Sequence, residues 1–328
     1  MYLASFLVVA LLVLIPLLAL VIGSLRDAAP GLAGNWTLGN WAGLLSRGVI
    51  GTFATTIGIG LASSLASALF GTAIAIILHR TDIRLARLLA ALVGLSFFLP
   101  SFILAMAWII IGSPGGLING VLQDVLGIEN FKVDAYSHVG IVFVMALHQT
   151  PFVYLMMRGP IIGMDASFEE AARAAGASQL SVLRRVTLPL LSYSLTSSVV
   201  LSFVLAIEQF AIPALMGIPG HITVLATQLY LLVRFPPPDY GLAAALGLSL
   251  SILTAFALLI QRRIARKNRL AVTTGKAGRI AVVPLGRWQW LASLFCWSYV
   301  VLALILPVII LVYVSVIKYF SANPLEAA

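Results

Sequence analysis

Seven apolar runs, each long enough to cross a lipid bilayer, limit what this chain of 328 residues can fold into. They occupy residues 3–25, 49–78, 88–112, 138–157, 190–216, 239–260 and 290–317. Within a bilayer every backbone amide needs a partner inside the protein, so such runs form helices. Charged residues make up only 9% of the chain, against about a quarter in a soluble domain. The sequence therefore predicts an all-α, polytopic membrane protein with about seven transmembrane helices.

The positions of the basic residues predict how the chain is oriented. If Met1 is cytoplasmic, 15 of the 20 Lys and Arg residues lie on the cytoplasmic side. The remaining 5 (20 minus 15) are Arg26, Arg47, Lys132, Arg234 and Lys318. This asymmetry follows the positive-inside rule and predicts a cytoplasmic N-terminus. It also explains the net charge of +9 by topology and lipid contact, so no nucleic-acid partner is expected.

Residues 164–189 form a polar stretch between the fourth and fifth apolar runs. Ser167 and Glu170 have the S-x-x-E spacing of a capping box, which predicts a helix that begins at Phe168. Helical periodicity places Phe168 on one face with three alanines, Ala171, Ala172 and Ala175. A face made of methyl groups allows another protein to approach closely.

The second half of this stretch predicts another short helix. Gly176 suits the left-handed position that ends the first helix. Ser178 can cap the second helix, and Pro189 is expected to prevent its smooth continuation into the fifth apolar run.

The same stretch resembles the EAA loop of ABC-importer permeases, whose pattern is EAA-x3-G-x9-I-x-LP. The matching residues are Glu170, Ala171, Ala172, Gly176, Val186, Leu188 and Pro189, with Val186 where isoleucine is usual. The resemblance implies the type I permease fold in a bacterial inner membrane, with these residues contacting a cytoplasmic ABC ATPase dimer. It also implies an extracytoplasmic substrate-binding protein. A short amphipathic helix predicted near residues 117–126 is a candidate surface for that protein, and a plain solvated connector is the alternative.

A weak internal repeat suggests a second, incomplete half. Pro16 and Ser24 match Pro307 and Ser315, each at an offset of 291 (307 minus 16 and 315 minus 24). The residues before the last run include TGKAGR and PLGRW, which resemble the linker between the two halves of fused iron(III)-type permeases. RTD at residues 80–82 and PPPDYGLAAAL at residues 236–246 resemble the same proteins.

These features predict four segments. Residues 1–48 hold the first transmembrane helix and an external segment, and residues 49–261 form the core permease domain. Residues 262–289 form a basic cytoplasmic linker, and residues 290–328 contain the first helix of a second half. The chain is thus expected to be a fragment or truncated product, completed by the rest of a longer chain or by another polypeptide.

Glu208 is an ionisable residue within the fifth apolar run. Its surroundings, EQFAIPALMG, resemble the E-[DE]-F-x-[VI]-P-A-L-[LM]-G region of iron(III)-type permeases, with Gln209 where an acid is usual. A carboxylate at such depth faces the protein interior or a water-filled cavity. Glu208, with a helix break at Pro213, is therefore predicted to line or gate a pathway; an interhelical hydrogen bond is the alternative.

The sequence offers no catalytic residues, metal site or cofactor motif. It lacks a G-x4-G-K-[ST] phosphate loop, HExxH and paired cysteines, so ATP hydrolysis is expected in a separate subunit. The function predicted is the permease subunit of an ATP-driven, binding-protein-dependent importer, with iron(III) as cargo by resemblance. Polyamines, thiamine and aminoethylphosphonate are alternative cargoes. A secondary transporter driven by an ion gradient is the alternative of another class.

Overall fold

The apolar runs are helical in the computed structural model, which describes residues 2–128, 132–267 and 282–316. The α-helices in these ranges are α1 Tyr2–Ser24, α2 Gly39–Gly43, α3 Arg47–Arg80, α4 Ala86–Ser96, α5 Ser101–Gly112, α6 Leu117–Gly120, α7 His138–Gly163, α8 Ala166–Ala174, α9 Gln179–Val182, α10 Leu188–Glu208, α11 Leu225–Arg234, α12 Tyr240–Lys267, α13 Gln289–Val300 and α14 Leu306–Val316. Wider π-helical turns lie at Val121–Val125, Leu183–Thr187, Pro213–Gly217 and Val301–Ile305, and a 3₁₀ turn lies at Gly286–Trp288.

The prediction of an all-α polytopic membrane protein is confirmed. Among the described residues, six helices have the length and composition to cross a membrane: Arg47–Arg80, Ser101–Gln123, His138–Gly163, Gln179–Glu208, Tyr240–Ile264 and Gly286–Val316. The first predicted run is α1, whose segment Ala10–Ser24 is a shorter apolar helix. The third predicted run is divided between α4 and α5, because Pro100 precedes α5 and cannot continue α4.

The centre of the bundle is the pair α3 and α7. Gly71 of α3 lies so close to α7 that an added Cβ would be 2.8 Å from the carbonyl oxygen of Thr150 and 2.9 Å from the amide nitrogen of Tyr154. Small residues permit such contact in lipid, where close packing replaces the hydrophobic drive of water. α10 packs on both helices: the hydroxyls of Ser67 and Ser202 are 2.9 Å apart, and Ser202 donates to Oε1 of Gln149 at 2.6 Å.

The last helical span, residues 286–316, belongs to the same apolar core. Cys296, Tyr299, Val300 and Ala303 are buried there, where this span packs against α4, α5 and α7. The Tyr299 hydroxyl donates to the Leu147 carbonyl oxygen at 3.2 Å. α1 instead packs along α12, with most of its side chains exposed. The two spans related by the sequence repeat therefore have different surroundings, and the division into four segments stays a prediction.

Most basic side chains of the described connections lie at one end of the bundle, where α3 and α7 finish and α10 is entered. We call this the basic end; it carries Arg80, Arg158, Arg173, Arg184 and Arg185. Residues 268–281, which contain much of the predicted basic linker, lie outside the described ranges.

The contact at Gly71 can be tested by adding one methyl group. We expect Gly71→Ala to lower the thermal stability of the purified protein, because overpacking costs about 1–3 kcal/mol and the clashing atoms include α7 backbone. Gly58→Ala, in the same helix but with no described residue's atom within 4 Å of the added atom, is the matched control and should leave the melting temperature unchanged or higher. Equal effects of the two substitutions in a detergent melting assay would contradict the packing of α3 on α7.

Candidate functional site

The polar stretch 164–189 begins with α8. Its N-cap is Asp165, whose Oδ1 accepts a hydrogen bond from the Ser167 amide at 3.0 Å. The predicted start at Phe168 with Ser167 as cap is therefore wrong. α7 ends at Gly163, so Asp165 is already extended when the chain turns, and its carboxylate caps as well as a serine.

The two faces of α8 differ in exposure. Ala166 and Glu169, three residues apart, are buried against the bundle. Phe168 and Ala171 point outward, as do Ala175 and the motif residue Glu170, while Ala172 is half-buried. The alanine-rich face is thus accessible for most of its length, and it is the buried face that fixes the helix to the protein.

The helix ends at the predicted glycine. Gly176 has φ +88° in the left-handed region, and its amide donates to the Arg173 carbonyl oxygen at 2.9 Å. The Ala177 amide donates to the Ala172 carbonyl oxygen at 3.0 Å. These two bonds form a Schellman motif, in which glycine avoids the strain that a side chain would meet. The predicted role of Gly176 as a helix terminator is confirmed.

The second helix does not stop where expected. Ser178 caps α9 by accepting from the Ser181 amide at 3.4 Å, as predicted. However, the helix continues from Gln179 to Glu208 through the π turn Leu183–Thr187, so the interruption predicted at Pro189 is wrong. Pro189 closely follows this π turn, in which the Leu188 amide donates to the Leu183 carbonyl oxygen, and such local π adjustments accommodate proline within a membrane helix. Val186 and Leu188 are half-buried, and Pro189 is exposed.

A buried carboxylate fixes this loop to the bundle. Glu169 is 4% exposed, and its Oε1 accepts from the Thr187 hydroxyl at 2.8 Å. Its Oε2 accepts from Arg173 at 3.2 Å and lies 3.5 Å from Nη1 of Arg80, which is 3% exposed. One side chain therefore joins α8 to the end of α3 and to the π turn that enters α10. A buried carboxylate is retained at such a place only when it is paired and hydrogen-bonded.

The RTD segment, residues 80–82, makes hydrogen bonds both to the polar loop and to the start of the last span. Nε of Arg80 donates to the Ile161 carbonyl oxygen at 3.1 Å, and its Nη2 donates to the Met164 carbonyl oxygen at 3.0 Å. Asp82 accepts from the Leu285 amide at 3.0 Å, and its carbonyl oxygen accepts from the Gln289 side chain. Residues 80–82 thus connect the polar loop on one side with the start of the last span on the other.

Sequence reasoning missed Glu169, since the family pattern names only its neighbour Glu170. Two signals were available: Glu169 and Arg173 have the i, i+4 spacing of a helical ion pair, and Glu169 shares a helix face with Ala166. The partner Arg80 lies 89 residues earlier in the chain (169 minus 80), so no local pattern could identify it.

Glu208 is far from this loop, at the other end of α10. Its Oε1 accepts from the Thr254 hydroxyl of α12 at 3.1 Å, so the interhelical hydrogen bond given as the alternative is present, and the pathway role stays a prediction. Thr254 lies 14 residues after Tyr240 and 13 before Lys267, so the carboxylate is near the middle of α12. Its side chain is exposed on the surface of the described chain. A charge at that depth is not stable against lipid, so this face requires water or protein beside it.

The helix ends immediately after Glu208. Gln209 leaves the helical region with ψ 122°, and Pro213 begins a separate π turn, so the helix of the fifth run is interrupted after Glu208. A proline ring collides with the carbonyl group four residues earlier, which here is that of Gln209. The predicted break is thus present, four residues before Pro213. Among the described residues, no three His, Cys, Asp or Glu side chains are grouped to hold a metal ion.

Comparisons with known proteins agree with this architecture. A family model described as "Binding-protein-dependent transport system inner membrane component" matches residues 67–270. The sulfate transport system permease protein CysT of Salmonella typhimurium is 30% identical over 269 residues, covering 80% of this chain and 92% of that protein. The ferric transport system permease protein FbpB of Actinobacillus pleuropneumoniae is 25% identical over 250 residues, covering 74% of this chain and 33% of that protein.

A solved structure supports the fold alone. It is a crystal structure of a bacterial alginate ABC transporter in complex with an alginate pentasaccharide-bound periplasmic protein. A chain of that complex aligns with a TM-score of 0.66 and 18% sequence identity, covering 84% of this chain and 95% of its own.

The contrast between Glu169 and Glu170 can be tested directly. We expect Glu169→Gln to lower thermal stability strongly, because removing one partner of a buried ion pair costs about 3–5 kcal/mol and leaves the Arg80 charge less compensated. Glu170→Gln makes the same chemical change one residue later on the exposed face, and should leave the melting temperature unchanged. A stable Glu169→Gln protein, or equal loss in both variants, would contradict the anchoring role of Glu169.

Proposed function

Because the chain belongs to the family of binding-protein-dependent transport system inner membrane components, and is a permease subunit of an ABC importer, we propose that its loop 164–189 couples the membrane helices to a separate ATPase. The observation that carries this proposal is the division of α8 into an exposed alanine face and a buried face anchored by Glu169. The first face is suited to contact another protein, and the second can pass a displacement to the bundle.

Two rigid connections would carry such a displacement. α9 and α10 form one continuous helix, so a shift of the loop is also a shift of a membrane span. Arg80 links α8 to the end of α3, which packs against α7 over most of its length. In an alternating-access cycle, an ATPase that binds the two states of the loop with different affinity would shift the equilibrium between the two states of the helices.

This proposal includes the orientation of the chain. We place the basic end in the cytoplasm, where ATP is available, and the N-terminus of α1 on the same side. A substrate-binding protein would then deliver cargo at the opposite end, near α6. The second half of the permease would come from the remainder of a longer chain or from another polypeptide.

We further propose iron(III) as the cargo. Support comes from the EQFAIPALMG stretch, from the similarity to FbpB and from the mid-membrane carboxylate of Glu208. A carboxylate beside a pathway attracts a cation and raises the barrier for a dianion such as sulfate. The similarity to CysT makes sulfate the second candidate, and the charge of Glu208 is the observation against it.

Cysteine crosslinking tests the coupling role. A cysteine at the exposed position Ala171 should form a crosslink with a cysteine in the cleft of the transporter's ATPase, with a yield that changes when ATP is added. Val139→Cys, at the 79% exposed start of α7, is the control and should give no such product, because it lies at the opposite end of the bundle. Absence of the Ala171 product across several cleft positions would overturn the proposed contact.

Uptake of radiolabelled iron(III) and sulfate tests the cargo. Cells that express the complete transporter should accumulate iron but not sulfate above the level of cells without it. Glu208→Gln should reduce iron uptake about tenfold, equivalent to about 1.4 kcal/mol in a barrier, whereas Glu208→Asp keeps the charge and should retain most activity. Sulfate uptake, or equal activity of both variants, would overturn the assignment of iron and of Glu208.

A further inference from the structure

A large cavity lies at the basic end, between the inner end of α3, the loop 164–189 and the start of the last span. Its volume is about 820 Å³, within the range of ligand sites. Its walls are mostly apolar and include Ile76 and Ile77 of α3 and Leu291 and Ala292 of α13. These residues lie within the first or last two turns of membrane-spanning helices, so the cavity is near the depth of the bilayer interface.

One end of the cavity is charged. The charged residues among its described lining are Arg80, Arg173 and Glu169, two cations and one anion, so one positive charge among the three is uncompensated. Arg80 is 3% exposed, and its buried Nη1 has the ion pair with Glu169 but no hydrogen bond to any residue that the structure describes. Arg173 has 34% of its side chain exposed and can reach a second anion.

The rim of the cavity has the composition of a membrane interface. Trp288 lines it and is 59% exposed, and the guanidinium carbon of Arg287 is 5.9 Å from the centre of the Trp288 ring. Tryptophan and arginine are enriched where helices leave the hydrocarbon region, because both carry an apolar body and a polar group. An apolar cleft with basic residues at its interfacial end matches an amphiphile with an acyl chain and an anionic head.

We propose that this cavity binds an anionic phospholipid, with an acyl chain along Ile76, Ile77 and Leu291 and the phosphate beside Arg173 and Arg80. Basic pockets between membrane helices on the cytoplasmic side are recognised by anionic lipid head groups. A small hydrophilic anion could use the arginines but would leave the apolar walls in contact with water. If the loop couples to an ATPase as proposed above, a bound lipid would hold the loop and the last span in a fixed relation.

Native mass spectrometry of the purified chain can measure this binding without ATPase or cargo. The probes are dioleoyl phosphatidylglycerol and dioleoyl phosphatidylcholine, which share acyl chains and differ in head-group charge. The wild-type protein should retain phosphatidylglycerol at least about fivefold better, the ratio expected for one basic residue near an anionic head. Arg173→Gln should remove most of this preference.

A filling substitution tests the location. Leu291→Trp places a larger side chain in the cavity and should reduce phosphatidylglycerol retention at least about fivefold, to the level of the head-group-independent background. Leu294→Trp, on the same helix but 57% exposed and outside the lining, should bind as the wild type does. Melting temperatures confirm that each variant is folded, and Arg173→Gln provides the second readout if Leu291→Trp is not.

Two outcomes would overturn the inference. One is equal retention of the two lipids by the wild-type chain, which would indicate an unselective apolar surface. The other is unchanged phosphatidylglycerol binding in both Leu291→Trp and Arg173→Gln, which would place the lipid elsewhere. Because binding is measured on the permease alone, failure of lipid binding and failure of ATPase crosslinking are separate results.

Discussion

The buried carboxylate of Glu169 is the interaction on which the arrangement of the basic end depends. Apolar helices in lipid gain little from contact with each other rather than with acyl chains, so directional contacts select among packings of similar energy. Glu169 provides three such contacts at once, to Thr187, Arg173 and Arg80. Arg173 is in α8 itself, whereas Arg80 ends α3 and Thr187 lies in the π turn before α10. The position of α8 is therefore set by these two neighbouring elements and not by its own short sequence.

The helices to which Glu169 ties α8 are themselves closely packed into one unit. Gly71 brings the backbones of α3 and α7 into contact, and the Ser67, Ser202 and Gln149 hydrogen bonds add α10 to the same unit. Close-packed interiors shift as units between discrete arrangements and do not deform continuously. A force applied to α8 would therefore move these helices together, as the proposed coupling role of the loop requires.

The proposed cargo rests on Glu208, which lies in a part of the chain distant from the loop 164–189. Identity of 25–30% to permeases named for ferric and sulfate transport reflects a shared helical framework, which does not by itself select a cargo. The exposed carboxylate of Glu208, near the middle of α12, is a local charge at membrane depth. It supports a cationic cargo because its field acts on any ion that passes that face.

The sequence by itself determined which runs are helical, where the polar loop lies and which glycine ends α8, because these follow from hydropathy, spacing and one left-handed residue. It also located Glu170 and Glu208 within their segments. Only the tertiary structure decided that Asp165 caps α8, that the helix passes Pro189 through a π turn, and that Glu169 meets Arg80. The physical reason is that these outcomes depend on where neighbouring helices end and on contacts between residues distant in the chain. Sequence periodicity describes one helix at a time, whereas the burial of a charged side chain depends on contacts from several helices.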